Sequence, residues 1–391
     1  MNRLMSCVIA LLLAALLALA PLAWAEASSC VETDVTVIKK YGNLVLSISG
    51  EDLLSQGYAY GDMLAVTIAG QTLEMPLGTS YSDVENGEMI CRVEEAANEG
   101  RGEVSLAINM GDLTTALGIA EKATIEEEPG FRWDLAEAYR DGISVAIEMK
   151  EKGGYADQYM IHQLVRSDVR ADYPDLTDAQ YANFRAITTT GMGRNALYRS
   201  SSPVNPKYNR NLEADAAANA AGIRTVMNLA DSAEAMRTFE GYDSSYYSGL
   251  DVIPLNLGVD FTAPDFRDGI VKGFRFLAAH DAPCLVHCGE GKDRGGFTAA
   301  LLECLMGATA DEVIADYMVT YFNFFGVRPG TEQYDAIVRS NIQKSLATAF
   351  GVQDLQSADL AACAEAWLLD GGMTGEEIAG LKAKLGTDIE G

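Results

Sequence analysis

The stretch Pro283-Cys284-Leu285-Val286-His287-Cys288-Gly289-Glu290-Gly291-Lys292-Asp293-Arg294 passes from an apolar run into a polar, glycine-bearing segment, and Phe297, Leu301, Cys304 and Leu305 then recur at helical spacing. This pattern predicts a buried strand over 283–287, a tight loop, and a helix that starts at Arg294. A loop of this kind turns successive backbone N–H groups toward one point at a helix N-terminus, where the helix dipole adds positive potential. Gly289 and Gly291 permit backbone conformations that residues with side chains resist. A cysteine at the centre of such a ring meets the conditions that favour a thiolate, which makes Cys288 a candidate nucleophile. Arg294 offers a planar fork for two oxygens of a tetrahedral anion. Lys292 adds a second cation, suited to a substrate with more than one phosphate, and His287 is placed to hold the base of the loop. A Cys six residues before an Arg arises readily by chance. The strand before it and the helix after it carry the reading.

Outward from the loop, helices alternate with short apolar strands. Residues 211–221 read as an Ala-rich helix stopped by Gly222, and 225–229 and 251–257 read as strands. Phe266, Ile270, Phe274 and Leu277 fall on one face of a helix that Thr262 and Asp265 are expected to open as a capping box; Thr309 with Glu312 and Thr374 with Glu377 predict two more boxes. The fold class is therefore α/β, with a central, mainly parallel sheet flanked by helices. Residues 31–125 differ: strands over 35–38, 43–48, 63–68, 72–75 and 88–93, separated by glycine-containing turns, predict a small all-β, barrel-like domain. The acidic run 126–128, followed by Pro129-Gly130, reads as the linker. The expected plan is a signal peptide over 1–25, the β domain over 26–125, the α/β domain over 126–350 and a helical extension over 351–391.

The expected signal peptide rests on Asn2 and Arg3, the apolar run 8–20, Pro21, and the small-x-small Ala23-Trp24-Ala25. It implies secretion or residence in the cell envelope, with no stable membrane span after cleavage. The formal charge of -27 becomes -28 once Arg3 is lost, which argues against nucleic-acid partners. Of seven cysteines, Cys7 lies in the leader, and Cys30 with Cys91 is the one pair inside a single N-terminal domain. With three histidines and no paired C-x-x-C, no metal site or other cofactor is expected. Trp133 and Trp367 read as packing residues.

At its loop the chain resembles the bacterial atypical tyrosine and lipid phosphatases, whose loop reads H-C-x-x-G-K-D-R-T. The likeness extends to Leu197-Tyr198-Arg199-Ser200, to Gly222-Ile223-Arg224-Thr225-Val226-Met227-Asn228-Leu229, and to Asp311-Glu312-Val313 and Asp316-Tyr317-Met318, across most of residues 190–345. The resemblance implies Cys288 as nucleophile, Arg294 as phosphate clamp, Asp293 as a candidate general acid, and Gly289, Glu290, Gly291, Lys292 and Gly295 as the phosphate-binding loop. Gly295 departs from the family, which has Thr or Ala there; a hydroxyl at that position can serve the sulfur as it leaves. Tyr41-Gly42-Asn43-Leu44-Val45-Leu46-Ser47-Ile48, Thr79-Ser80-Tyr81-Ser82-Asp83-Val84 and Val104-Ser105-Leu106-Ala107-Ile108-Asn109 resemble the C-terminal barrel of the S-adenosylmethionine hydroxide adenosyltransferases. That second likeness implies a fold and no activity.

Asp260 and Asp265 compete with Asp293 as proton donor. Arg194, Arg199, Lys207 and Arg210 lie between Met192 and Asn211 without an acid, and suggest one wall of the anion pocket, with Arg199 the foremost of them. Cys284 reads as core filler, or as a trap for an oxidised Cys288. The expected reaction is hydrolysis of phosphate monoesters, whether phosphotyrosine, phosphoinositide or inositol phosphate, so that the partner is a phosphorylated small molecule, lipid headgroup or phosphoprotein. Two rival readings remain: a sulfurtransferase or arsenate reductase using the same loop, and a non-catalytic or very slow phospholigand-binding protein.

Overall fold

The computed structural model describes residues 30–94, 101–127 and 129–390, so the expected leader lies outside the described residues. Two compact units follow one another along the chain, the first ending at Tyr159 and the second starting at Met160.

The first unit is a closed barrel. Its strands are β1 (Val31–Ile38), β2 (Leu44–Ser49), β3 (Met63–Ile68), β4 (Gln71–Gly78), β5 (Met89–Glu94), β6 (Glu103–Ile108) and β9 (Ser144–Glu151). Around the barrel they run β1-β2-β6-β5-β4-β3-β9, while β7 (Ala120–Thr124) and β8 (Phe131–Leu135) form a separate hairpin. Strand alternation sends Leu44, Leu64, Val66, Leu106, Val145 and Ile147 into one buried core.

Closure depends on β9, which pairs antiparallel with β1 through Val31 and Ile147 and with β3 through Leu64 and Met149. The compact unit that contains the barrel runs past the expected boundary at 125/126, to Tyr159, because it includes β9. In the segment between β7 and β8, Ile125 N donates to Gly130 O at 3.2 Å and Gly130 N to Glu127 O at 2.7 Å, so the expected linker falls within a hairpin. Gly130 has φ of +83°, a conformation that suits glycine. The expected Cys30–Cys91 pairing is also corrected: Cys91 is buried in the barrel core, Cys30 is exposed, and both are free.

In the second unit the sheet order is β10-β11-β14-β12-β13. The central strand β14 (Cys284–His287) runs parallel to β11 (Leu197–Ser200) on one side and β12 (Thr225–Asn228) on the other. Strand β13 (Asp251–Pro254) continues the parallel sheet, and the short β10 (Arg185–Ala186) is an antiparallel edge. Cys284 and Val286 face a large core with Phe266, Phe274, Phe297 and Leu301 from the helices Pro264–Ala279 and Arg294–Met306. Leu285, pointing the other way, joins Tyr198, Val226, Ala218 and Tyr247. A strand buried on both faces is what a helix-flanked parallel sheet requires.

The helices of the expected C-terminal extension, Leu360–Asp370 and Gly375–Leu385, pack into the domain core. Leu355, Leu360, Trp367, Leu368, Ile378 and Leu381 bury into the same core as Phe297, so the C-terminal helices belong to the domain. The capping boxes at Thr309 and Thr374 form, but the one expected at Thr262 does not. Pro264 takes the first helical position, which makes Ala263 the cap, and the Thr262 hydroxyl donates to Asp260 at 2.7 Å instead.

Candidate active site

Cys288 follows β14 directly and is 3% exposed, at the mouth of a loop that ends where the helix Arg294–Met306 begins. The scaffold fixes the loop by its carbonyls. Cys288 O accepts from His287 Nδ1 at 3.2 Å, Gly289 O from Ser202 N at 3.0 Å, Glu290 O from Asn183 Nδ2 at 3.2 Å, and Gly291 O from Arg199 Nη2 at 2.7 Å. In a trans peptide the N–H points opposite to the C=O. Four carbonyls held outward therefore turn the N–H groups of Gly289, Glu290, Gly291 and Lys292 inward. Successive N–H groups turned to one side in this way can receive an anion.

Gly291 makes that curl possible. Its φ is +70°, and a Cβ there would stand 2.1 Å from Ser200 O. Gly295 is different: a Cβ there would meet Cys288 Sγ at 3.7 Å, an ordinary contact. The next residue, Gly296, is needed for space, since its Cβ would stand 2.7 Å from the Tyr317 ring and 3.1 Å from Arg199 Nη2.

Arg294 donates through Nη1 to Leu257 O at 2.8 Å, while its Nε is buried without a protein partner among the described residues. His287 is fully buried. The Cys288 carbonyl can only accept, so His287 Nδ1 carries the proton and Nε2 accepts from Tyr247 Oη at 2.9 Å. Tyr247 Oη in turn accepts from Asn228 Nδ2 at 3.2 Å. Burial pushes the imidazole down to about 4, with Arg294 adding to the effect, so the ring is neutral and acts as a fixed brace.

Arg199, expected in a supporting role, holds the loop from behind. It is buried, with Nη1 on Asp316 Oδ2 at 2.6 Å and Nη2 on Gly291 O. Arg194 is exposed and pairs with Asp388, Arg210 is buried against the Tyr181 carbonyl, and Lys207 stands in solvent over the Tyr208 ring. Asp316 also accepts from Arg185 Nε at 2.8 Å, and although burial opposes its charge, the two arginines hold its carboxyl well below the usual range. Glu303, fully buried beside this set, is raised well above a normal carboxylate by burial and by Asp316, so it is neutral.

The three candidate acids fall in different settings. Asp293 lies in the loop, its carboxylate 47% exposed and 3.8 Å from Lys292 Nζ, and it makes no hydrogen bond that caps the following helix. Asp260 is exposed and lowered by hydrogen bonds from Thr262, which makes it a poorer proton donor. Asp265 is exposed in the first turn of its helix. Cys284 is buried in β14 and pushed up to about 11 by burial, as a packing thiol is.

Sequence reasoning missed Arg166, Asn183, Tyr208 and Tyr247. Arg166 pairs with Glu290 and stacks on Tyr208, whose ring edge would lie 3.1 Å from a Cβ at Gly289. Their contacts to the loop span 40 to 124 residues, beyond any local signal. Among the described residues no group of three or more His, Cys, Asp or Glu is arranged to hold a metal, and no helix is long and apolar enough to cross a membrane.

The profile of the tyrosine phosphatase family matches residues 178–386, more than half of the chain. The chain belongs to the tyrosine phosphatase family. It is a tyrosine-phosphatase-like hydrolase. Residues 33–126 match the C-terminal domain of the SAM hydroxide adenosyltransferases, which agrees with the barrel. No curated protein matches the chain.

Three solved structures are similar to this phosphatase. One is an uncharacterized conserved protein from Thermotoga maritima, at 17% identity and TM-score 0.22, with 30% of this chain covered and 35% of that one, so that about a third of the Thermotoga protein is spanned. The second is the core catalytic domain of the PP-IP phosphatase SIW14 from S. cerevisiae in complex with citrate, at 16% identity and TM-score 0.28, with 42% of this chain and 91% of that one covered. The third is P. aeruginosa TpbA in complex with pTyr, at 20% identity and TM-score 0.28, with 44% and 92% covered.

Proposed function

We propose that phosphate monoesters are hydrolysed in two steps through a cysteinyl-phosphate on Cys288. The thiolate attacks phosphorus, the S–P bond forms as the bond to the leaving oxygen breaks, and Asp293 gives its proton to that oxygen. Water then attacks the same phosphorus, the S–P bond breaks, Asp293 takes a proton back, and inorganic phosphate leaves. The loop N–H groups and Arg294 hold the phosphoryl oxygens through both steps, where preorganised donors contribute most.

The observation that carries the reading is the set of four loop carbonyls tied outward around Cys288, which aims the amides at one point beside the sulfur. Asp293 is favoured over Asp260 because it belongs to the loop itself, whereas Asp260 is lowered by hydrogen bonds from Thr262. With the leader removed, the enzyme acts outside the cytoplasm. Cys288→Ser tests the proposal: phosphate release from an aryl phosphate is lost, while binding of inorganic phosphate persists because the amides and Arg294 remain. Retained phosphate release in that variant would refute a cysteine mechanism.

A further inference from the structure

Five charged side chains surround the loop besides Arg294, and they pair among themselves. Lys292 Nζ lies 3.3 Å from Glu290 Oε2 and 3.8 Å from Asp293 Oδ2, and it sits over the rings of Tyr321 and Phe325 at 5.9 and 5.7 Å. Arg166 pairs with Glu290 and, at 3.3 Å, with Asp168, while its guanidinium stacks on Tyr208. Two cations thus face three carboxylates. With Asp293 protonated for catalysis, the count is only balanced.

The geometry points to a substrate that carries a single phosphate group, because Lys292 and Arg166, the two cations that flank the loop, are already neutralised by carboxylates of the site. This inference rests on the phosphatase reading above and narrows its substrate class. It reverses the sequence-based expectation that Lys292 serves a multiply phosphorylated substrate. The glutamate is the reason: Glu290 is nearly buried, its side chain 13% exposed, and bridges Arg166 and Lys292, so both cations are turned toward it. Burial opposes its charge, but those two cations hold it ionised. Arg294, with a buried and unpartnered Nε, and the inward amides are left to grip one phosphoryl group. A second phosphate would meet the Glu290 and Asp293 carboxylates at close range, where like charges repel strongly.

The test is competition against hydrolysis of an aryl phosphate by inositol monophosphate and inositol tetrakisphosphate, which present one alcohol scaffold with different charge. The natural enzyme is expected to bind the monophosphate at least as tightly as the tetrakisphosphate. In Glu290→Gln the tetrakisphosphate should gain roughly tenfold relative to the monophosphate, the size of one freed charge-assisted contact. Asp168→Asn, a change at a partly exposed carboxylate, should shift the same ratio in the same direction by less, and covers the case in which the loop variant fails to fold. Tighter binding of the tetrakisphosphate by the natural enzyme would overturn the inference and leave the phosphatase reading standing. An unchanged ratio in both variants would overturn its electrostatic cause. No hydrolysis of the aryl phosphate at all would count against the phosphatase mechanism itself.

Discussion

Gly295 leaves room beside the sulfur of Cys288 that a threonine could fill, since a Cβ there would stand 3.7 Å from Sγ and meet nothing closer. Thr298, one helical turn on, does not replace the missing hydroxyl: its Oγ1 is buried without a hydrogen-bond partner among the described residues. A hydrogen bond to a charged acceptor is worth about 1.5 to 3 kcal/mol, or roughly tenfold or more in rate. The natural enzyme should therefore show a burst of product before a slow second step, and Gly295→Thr should raise turnover about tenfold and shrink the burst in rapid-quench measurements. Asp293→Asn should slow alkyl phosphates far more than activated aryl phosphates, because only the poor leaving groups need the proton; equal loss on both would assign Asp293 a structural role. His287 makes a stability prediction. Its folded value, about 4, lies below that of a free imidazole, so the unfolded chain binds the proton more readily. Its contribution is complete above pH about 6.5 and is lost as pH falls toward 4. Chemical denaturation across that window should show His287→Asn losing less stability with acid than the natural protein.

The loop is held by elements far from it in sequence, above all by Arg199 at the end of β11 and Asp316 in the helix Ala310–Phe325. Asp316→Asn leaves two buried arginines without their counter-charge, and losses of that kind run to about 3 to 5 kcal/mol. Glu303→Gln makes the opposite case: the carboxyl is already neutral, so the change should cost less than about 1 kcal/mol. Urea unfolding of the two variants should differ accordingly, and comparable losses would contradict the assigned charges. The nucleophile loop itself was legible because strand, loop and helix are contiguous in the chain. The bracing was not, since Arg199 meets Asp316 across 117 residues and Tyr247 meets His287 across 40. The capping box at Thr262 failed for a local reason: Pro264 fixes the helix start one residue later than the Thr-x-x-Asp pattern implies.

At the scale of the whole chain, the strands of the barrel could be read by alternation and turn glycines, but its last strand could not. β9 closes the barrel against β1 more than a hundred residues away, and the acidic Pro-Gly turn before it looks like a linker. A cut after Ile125 should therefore leave β1 and β3 with open edges and yield an aggregating N-terminal fragment, whereas a cut near Tyr159 should give a soluble barrel by size-exclusion chromatography. The C-terminal helices were read as an extension because their apolar faces do not announce a partner; they close the core over Phe297. The second unit carries the central chemical claim, that phosphate passes through a covalent bond to Cys288. Acid quench of the enzyme during turnover of an aryl phosphate, followed by peptide mass spectrometry, tests it most directly. The peptide containing Cys288 should carry the added mass of one phosphoryl group, absent in Cys288→Ser, and accumulation should fall in Gly295→Thr. Turnover that proceeds with that peptide unmodified at every time point would contradict it.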